Sequence, residues 1–65
     1  MNKLKEIRER KGISQMKLAM DSGISRQRII EIESDPKANM TMNTVAKLAE
    51  ALHVKTSDIF IPDVN

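Results

Sequence analysis

Residues 14–34 read Ser14-Gln15-Met16-Lys17-Leu18-Ala19-Met20-Asp21-Ser22-Gly23-Ile24-Ser25-Arg26-Gln27-Arg28-Ile29-Ile30-Glu31-Ile32-Glu33-Ser34, and this stretch decides the fold. Two serines, Ser14 and Ser25, stand where a hydroxyl accepts a hydrogen bond from the first turn of a following helix. Gly23 takes up a left-handed conformation without steric cost and so ends the first of the two helices. Only Ile24 then separates it from the serine that starts the second. Leu18 and Ala19, with Ser22 completing the face, point inward before the turn. Ile29 and Ile32 share a face after it, while Arg26, Gln27, Ile30 and Glu31 point elsewhere. So short a Gly-Ile-Ser link suits two helices set nearly at right angles. Taken alone, these features also fit an ordinary helical hairpin inside a small bundle.

Outward from this unit, the chain divides into three further short helices. Asn2 is read as the N-cap of a helix that runs to Lys11, with Leu4, Ile7 and the Lys11 stem on one stripe and Gly12 as its stop. After Ser34 the run Asp35-Pro36-Lys37-Ala38-Asn39 breaks the pattern, because Pro36 cannot continue a helix and disfavours one at the preceding residue. Thr41 caps a fourth helix in which Val45, Leu48, Ala49 and Leu52 fall at i, i+3, i+4 and i+7, the clearest amphipathic pattern present. His53-Val54 makes the next turn, a last helix covers roughly Thr56 to Phe60, and Pro62 closes it. Residues 61–65 are expected to fray.

Length and composition narrow the function. A 65-residue chain forms one small domain, and one of this size buries only about 60% of the surface it exposes when unfolded. The absence of cysteine and the single histidine leave neither a disulfide framework nor ligands for a structural zinc. A single aromatic residue, Phe60, leaves a β-sandwich or barrel without its usual core builders. No apolar run approaches a membrane span, and the Lys-rich start lacks a signal-peptide block, which points to the cytoplasm. There is no nucleophile–base pair, no phosphate-cradling glycine loop and no metal-ligand cluster, so neither an enzyme nor a cofactor is expected. Charge is uneven. Residues 1–34 carry eight basic against five acidic residues, a balance of +3, whereas residues 35–65 carry three against four, or −1. A basic partner-facing surface therefore belongs to the first half.

The strings Gly12-Ile13-Ser14-Gln15, Leu18-Ala19, Gly23-Ile24-Ser25-Arg26, Ile29 and Ile32-Glu33, continued by Thr44 to Leu52, Val54 and Ser57-Asp58-Ile59-Phe60, resemble the Cro/phage-repressor (Xre-type) helix-turn-helix family. The likeness covers roughly residues 3 to 60, and the spacing between matches is kept throughout the first 33 residues. It implies an all-α, lambda-repressor-like domain of five helices. It further implies a dimeric transcriptional regulator of double-stranded DNA, most often a repressor at a palindromic operator.

By the same resemblance, the third helix lies in the major groove, and the base-reading role falls on Arg26, Gln27, Ile30 and Glu31. Their chemistry agrees with this. Arg26 suits guanine O6 and N7, Gln27 suits adenine N6 and N7, Glu31 accepts only and suits cytosine N4, and Ile30 suits a thymine methyl. Gln15, Ser25, Arg28, Lys37 and Asn39 fall where contacts to the phosphate backbone are expected, and Gln15 stands at a helix start that itself favours an anion. Arg8 and Glu33 match an arginine and a glutamate that pair in relatives and fix the third helix against the first. For each reader or phosphate residue the plainer alternative is a solvated polar position, and for Ile30 a scattered surface apolar one.

Some positions depart from the family pattern. The Ser34–Asn39 loop is one residue longer than usual, and Asp35-Pro36 replaces glycine and basic residues, which weakens the expectation of backbone contacts there. Met16 and Met20 take outward places that are usually polar, and are read as adaptable packing or else a partner surface. Lys55 replaces a capping serine, so the last helix is free to begin later. His53 replaces a helix-ending glycine and is read as a C-cap rather than a metal ligand. One recognition helix covers too few base pairs to discriminate against a genome, which argues for a homodimer. Ile59, Phe60, Ile61 and Val64 are its expected surface, with monomer core as the alternative for Ile59 and Phe60. Two other functions remain open: an antitoxin that binds both DNA and a toxin protein, and a helical protein-binding module without a DNA role.

Overall fold

The computed structural model describes residues 2–61. Five helices follow one another: α1 Leu4–Arg10, α2 Gln15–Ser22, α3 Arg26–Ser34, α4 Met42–Leu52 and α5 Thr56–Ile59. Three begin at the hydroxyl read from the sequence. Ser14, Ser25 and Thr41 each accept a hydrogen bond from the backbone N–H three residues on, at Lys17, Arg28 and Thr44. Each bond satisfies one of the orphan donors of a first turn, typically worth about 1 kcal/mol. Gly23 ends α2 at φ 76°, as the left-handed reading requires. His53 ends α4 in the same region at φ 59°, and the Val54 N–H reaches back to the Ala49 carbonyl at 3.0 Å.

The start of α1 differs from expectation. Lys3, not Asn2, holds the cap position and makes no side-chain cap bond. Asn2 lies one residue earlier and is buried. Its Oδ1 still accepts from the Leu4 N–H at 3.2 Å, while its Nδ2 donates to the Ile32 and Asp35 carbonyls at 3.2 and 3.1 Å. One side chain thereby serves the start of α1 and the end of α3. At the other end, Lys11 is the C-cap and is exposed, so its stem does not extend the buried stripe. The last helix starts where a capping serine would have placed it, because Asp58 Oδ2 accepts from the Lys55 N–H at 3.0 Å. The first-turn carboxylate reaches back to the cap residue's own N–H, the reciprocal half of a capping box, so the helix start is marked without a hydroxyl.

The core is one cluster to which every helix contributes: Leu4 and Ile7 from α1, Leu18 from α2, Ile29 and Ile32 from α3, Leu48, Ala49 and Leu52 from α4, and Ile59 from α5. Val45 is buried as well. Fully burying such an aliphatic side chain contributes about 1.5–3 kcal/mol, so no single helix is stable alone but the set is. Helix α4 packs on α2 and α5, and α3 packs on α2 and α1. Near the two ends of the described chain an isolated antiparallel bridge joins Asn2 to Phe60. Around it the Lys3 N–H donates to the Ile59 carbonyl at 2.7 Å, and the Asn2 N–H to the Pro36 carbonyl at 2.9 Å.

Candidate nucleic-acid interface

The geometry of the site follows from the turn between α2 and α3. Once Gly23 has reversed the chain, Ile24 packs against the core and Ser25 starts a helix whose inner side is only Ile29 and Ile32, both wholly buried. With those two fixed, the period of 3.6 residues forces Arg26, Gln27, Ile30 and Glu31 outward. All four are exposed. Among the described residues, the side chains of Arg26 and Gln27 have no hydrogen-bond or ionic partner. Two long polar groups therefore stand free at the N-terminal end of an otherwise anchored helix. Glu31 is less free, since Arg28 Nη1 lies 3.5 Å from its Oε1.

The expected backbone-contacting residues divide into two kinds. Lys37 is exposed, and Ser25 is exposed with its hydroxyl already serving as the cap. Gln15 and Arg28 are tied within the protein by their side chains, and the exposed Asn39 by its backbone carbonyl. Arg28 Nη2 donates to the Asn39 carbonyl at 3.0 Å, which fastens the α3–α4 loop to the first turn of α3. Asp35 shapes that loop, its Oδ1 accepting from the Lys37 N–H and its carbonyl from the Ala38 N–H. Gln15, half-buried, donates from Nε2 to Glu33 Oε1 at 3.0 Å. The sequence reading missed this bond. The signal was a glutamine at the first position of a helix whose neighbour ends in a glutamate.

Arg8 and Glu33 form a two-point ion pair, with Nε on Oε2 at 2.6 Å and Nη2 on Oε1 at 3.0 Å. Their side chains are only 11% and 4% exposed. The third guanidinium nitrogen, Nη1, donates to the Ile13 carbonyl at 2.7 Å. The guanidinium pKa is raised, first by the hydrogen bond to Glu33, with burial opposing it. Arg8 thus stays charged at any working pH. A pair buried to this degree adds little net stability over apolar isosteres, yet removing one partner costs about 3–5 kcal/mol.

Several expected surface roles change. Ile59 is wholly buried in the monomer core and does not form part of an outer surface. Phe60 is half-buried and packs on the same cluster. Ile61 is exposed at 45%, and Val64 lies outside the described residues. Met16 and Met20, at 54% and 78% exposed, do not fill the core as adaptable packing would require. Met42 is similarly exposed, which the sequence reading did not anticipate. Among the described residues no group of histidine and carboxylates is placed to hold a metal ion. None of the described helices is long and apolar enough to cross a membrane.

A helix capped by serine, held from behind by two isoleucines and set across a preceding helix by a left-handed glycine defines a helix-turn-helix DNA-binding domain. The helix-turn-helix family model matches residues 4–59, and the chain belongs to that family, which is one of DNA-binding regulators rather than enzymes. Among solved structures it is similar to the restriction-modification controller protein C.AhdI from Aeromonas hydrophila. That likeness has a TM-score of 0.79 and 34% sequence identity, over 89% of this chain and 86% of that one. No curated protein matches the chain.

Proposed function

We propose that this domain is a sequence-specific transcriptional regulator, a repressor that occupies a palindromic operator as a homodimer in the cytoplasm. Helix α3 enters the major groove, where Arg26, Gln27, Ile30 and Glu31 meet base edges, and Gln15, Ser25, Arg28, Lys37 and Asn39 position the protein on phosphates. One observation carries this reading: Arg26 and Gln27 are exposed and, among the described residues, their side chains have no partner, at the start of a helix whose opposite side buries Ile29 and Ile32. The similarity to a controller protein supports a regulatory task. Pairing follows from discrimination, because two recognition helices about 34 Å apart read half-sites one turn apart on the same side of the duplex.

Selection of bound duplexes from a random pool tests the proposal. An inverted repeat with half-sites spaced by about one helical turn is the expected outcome, and affinity should fall steeply as salt rises, because neutralised phosphates release counterions. Failure to retain any duplex at low salt would defeat it. The exposed Met16 and Met20 favour a second reading, an antitoxin that also binds a protein. Recovery of a stoichiometric second protein with the native complex would decide for that reading.

A further inference from the structure

One polar cluster joins parts of the molecule that have different tasks. The Glu33 carboxylate, at the buried end of α3, receives Arg8 Nε and Nη2 from α1 and Gln15 Nε2 from the first residue of α2. Arg8 continues the chain of bonds to the Ile13 carbonyl in the loop just before α2. The cluster therefore fixes the N-terminus of α2 from two sides, through the Gln15 side chain and through the loop that leads into it. It leaves no buried side-chain polar atom unsatisfied.

A primary amide carries two hydrogens on one nitrogen, pointing in different directions in the amide plane. In Gln15 one of them is held by Glu33. Among the described residues the other has no acceptor, and the residue as a whole is half-exposed. The charge of the acceptor matters too. A bare carboxylate beside a phosphate would repel it, but Glu33 is paired at two points with Arg8 and the pair is close to neutral.

We infer that Glu33, with Arg8 as its counter-charge, is a positioning residue for DNA binding: it holds the Gln15 amide so that its free hydrogen meets a backbone phosphate. This rests on the DNA-binding reading above. Glu33 does not touch the nucleic acid. Its effect is to order a long side chain before the encounter, so that binding does not bear the entropy of ordering it. Preordering one such side chain changes affinity by about twofold to tenfold.

The test is a cycle built on Arg8→Met/Glu33→Met, which removes both charges together and fills their volume with apolar groups, a replacement that buried pairs often tolerate. Folding is checked by thermal melts, and affinity is measured on a preferred duplex and on random duplex. The expected result is a folded protein with affinity about twofold to tenfold lower for both duplexes, so that the ratio between them is unchanged. In a Gln15→Ala background the same pair of substitutions should cost no further affinity. An equal loss with and without Gln15, or a collapse of the preferred-to-random ratio, would show that the cluster only supports the fold and would overturn the inference. Absence of binding by the wild-type protein would instead remove the DNA-binding reading itself. Should the double variant not fold, the Gln15 side-chain amide resonances of the wild-type protein decide. On titration with duplex, one hydrogen should shift and the one facing Glu33 should not; large shifts of both, or of neither, would refute the assignment.

Discussion

Helices α3 and α4 are close in length, nine residues against eleven, but they are held in opposite ways. Helix α4 buries Val45, Leu48, Ala49 and Leu52 along one stripe and is anchored by apolar area. Helix α3 buries only Ile29 and Ile32. Its remaining hold is polar and lies at its two ends: the Ser25 cap at the start, and Glu33 with the Asn2 amide at the finish. The difference teaches how a small domain keeps a helix both rigid and available. Fastening α3 at its ends leaves Arg26 and Gln27 of its first turn without side-chain partners among the described residues, whereas a wider apolar stripe would have drawn such positions into the core.

The contrast predicts that substitutions in the two helices fail in different assays. Leu48→Ala, at a wholly buried site of α4, should cost about 2–5 kcal/mol of folding stability, seen as a lower urea midpoint. Whatever fraction stays folded should keep its sequence preference; a changed preference would mean that α4 shapes the reading surface. Gln27→Ala, on the free side of α3, should leave the urea midpoint nearly unmoved. It should weaken binding by about 1–3 kcal/mol at the preferred site and relax discrimination at one base pair. An equal loss on every sequence would place Gln27 on the phosphates instead. The smallest effect is a gain. His53 ends α4 at φ 59°, where a side chain is strained by about 1–2 kcal/mol relative to glycine. Part of that is offset by the added freedom of glycine in the unfolded chain. His53→Gly should therefore raise stability by about 0.5–1 kcal/mol without altering affinity, and a lower melting temperature would show that the imidazole contributes more than its backbone costs.

Much of this was legible in the residues themselves. Capping hydroxyls and a left-handed glycine are local signals, so the starts of α2, α3 and α4 and the end of α2 were readable from neighbours in sequence. The inner sides of α3 and α4 followed from the 3.6-residue period. What escaped was polar and non-local. Asn2 looked like a cap because asparagine beside a helix start usually is one, yet its amide reaches carbonyls 30 and 33 residues away. Gln15 was readable as a phosphate contact at a helix start, but nothing nearby in sequence shows the acceptor 18 positions on that its amide meets within the protein. Ile59 could be read as core or as surface while its helix was only four residues long, too short for a period to choose a face. At the candidate interface, the outward direction of Arg26 and Gln27 was readable, but the ties on Arg28 and Gln15 were not.

The bridge between Asn2 and Phe60 closes the described chain into a loop whose fastening is shared with α3. Ile59 and Phe60 hold the backbone of residues 2 and 3, and the Asn2 amide in turn grips the Ile32 carbonyl of α3 and that of its C-cap Asp35. A chain truncated after α4 would lose the Ile59 and Phe60 partners of residues 2 and 3, and the Arg8–Glu33 pair would be left to hold the far end of α3 without that support.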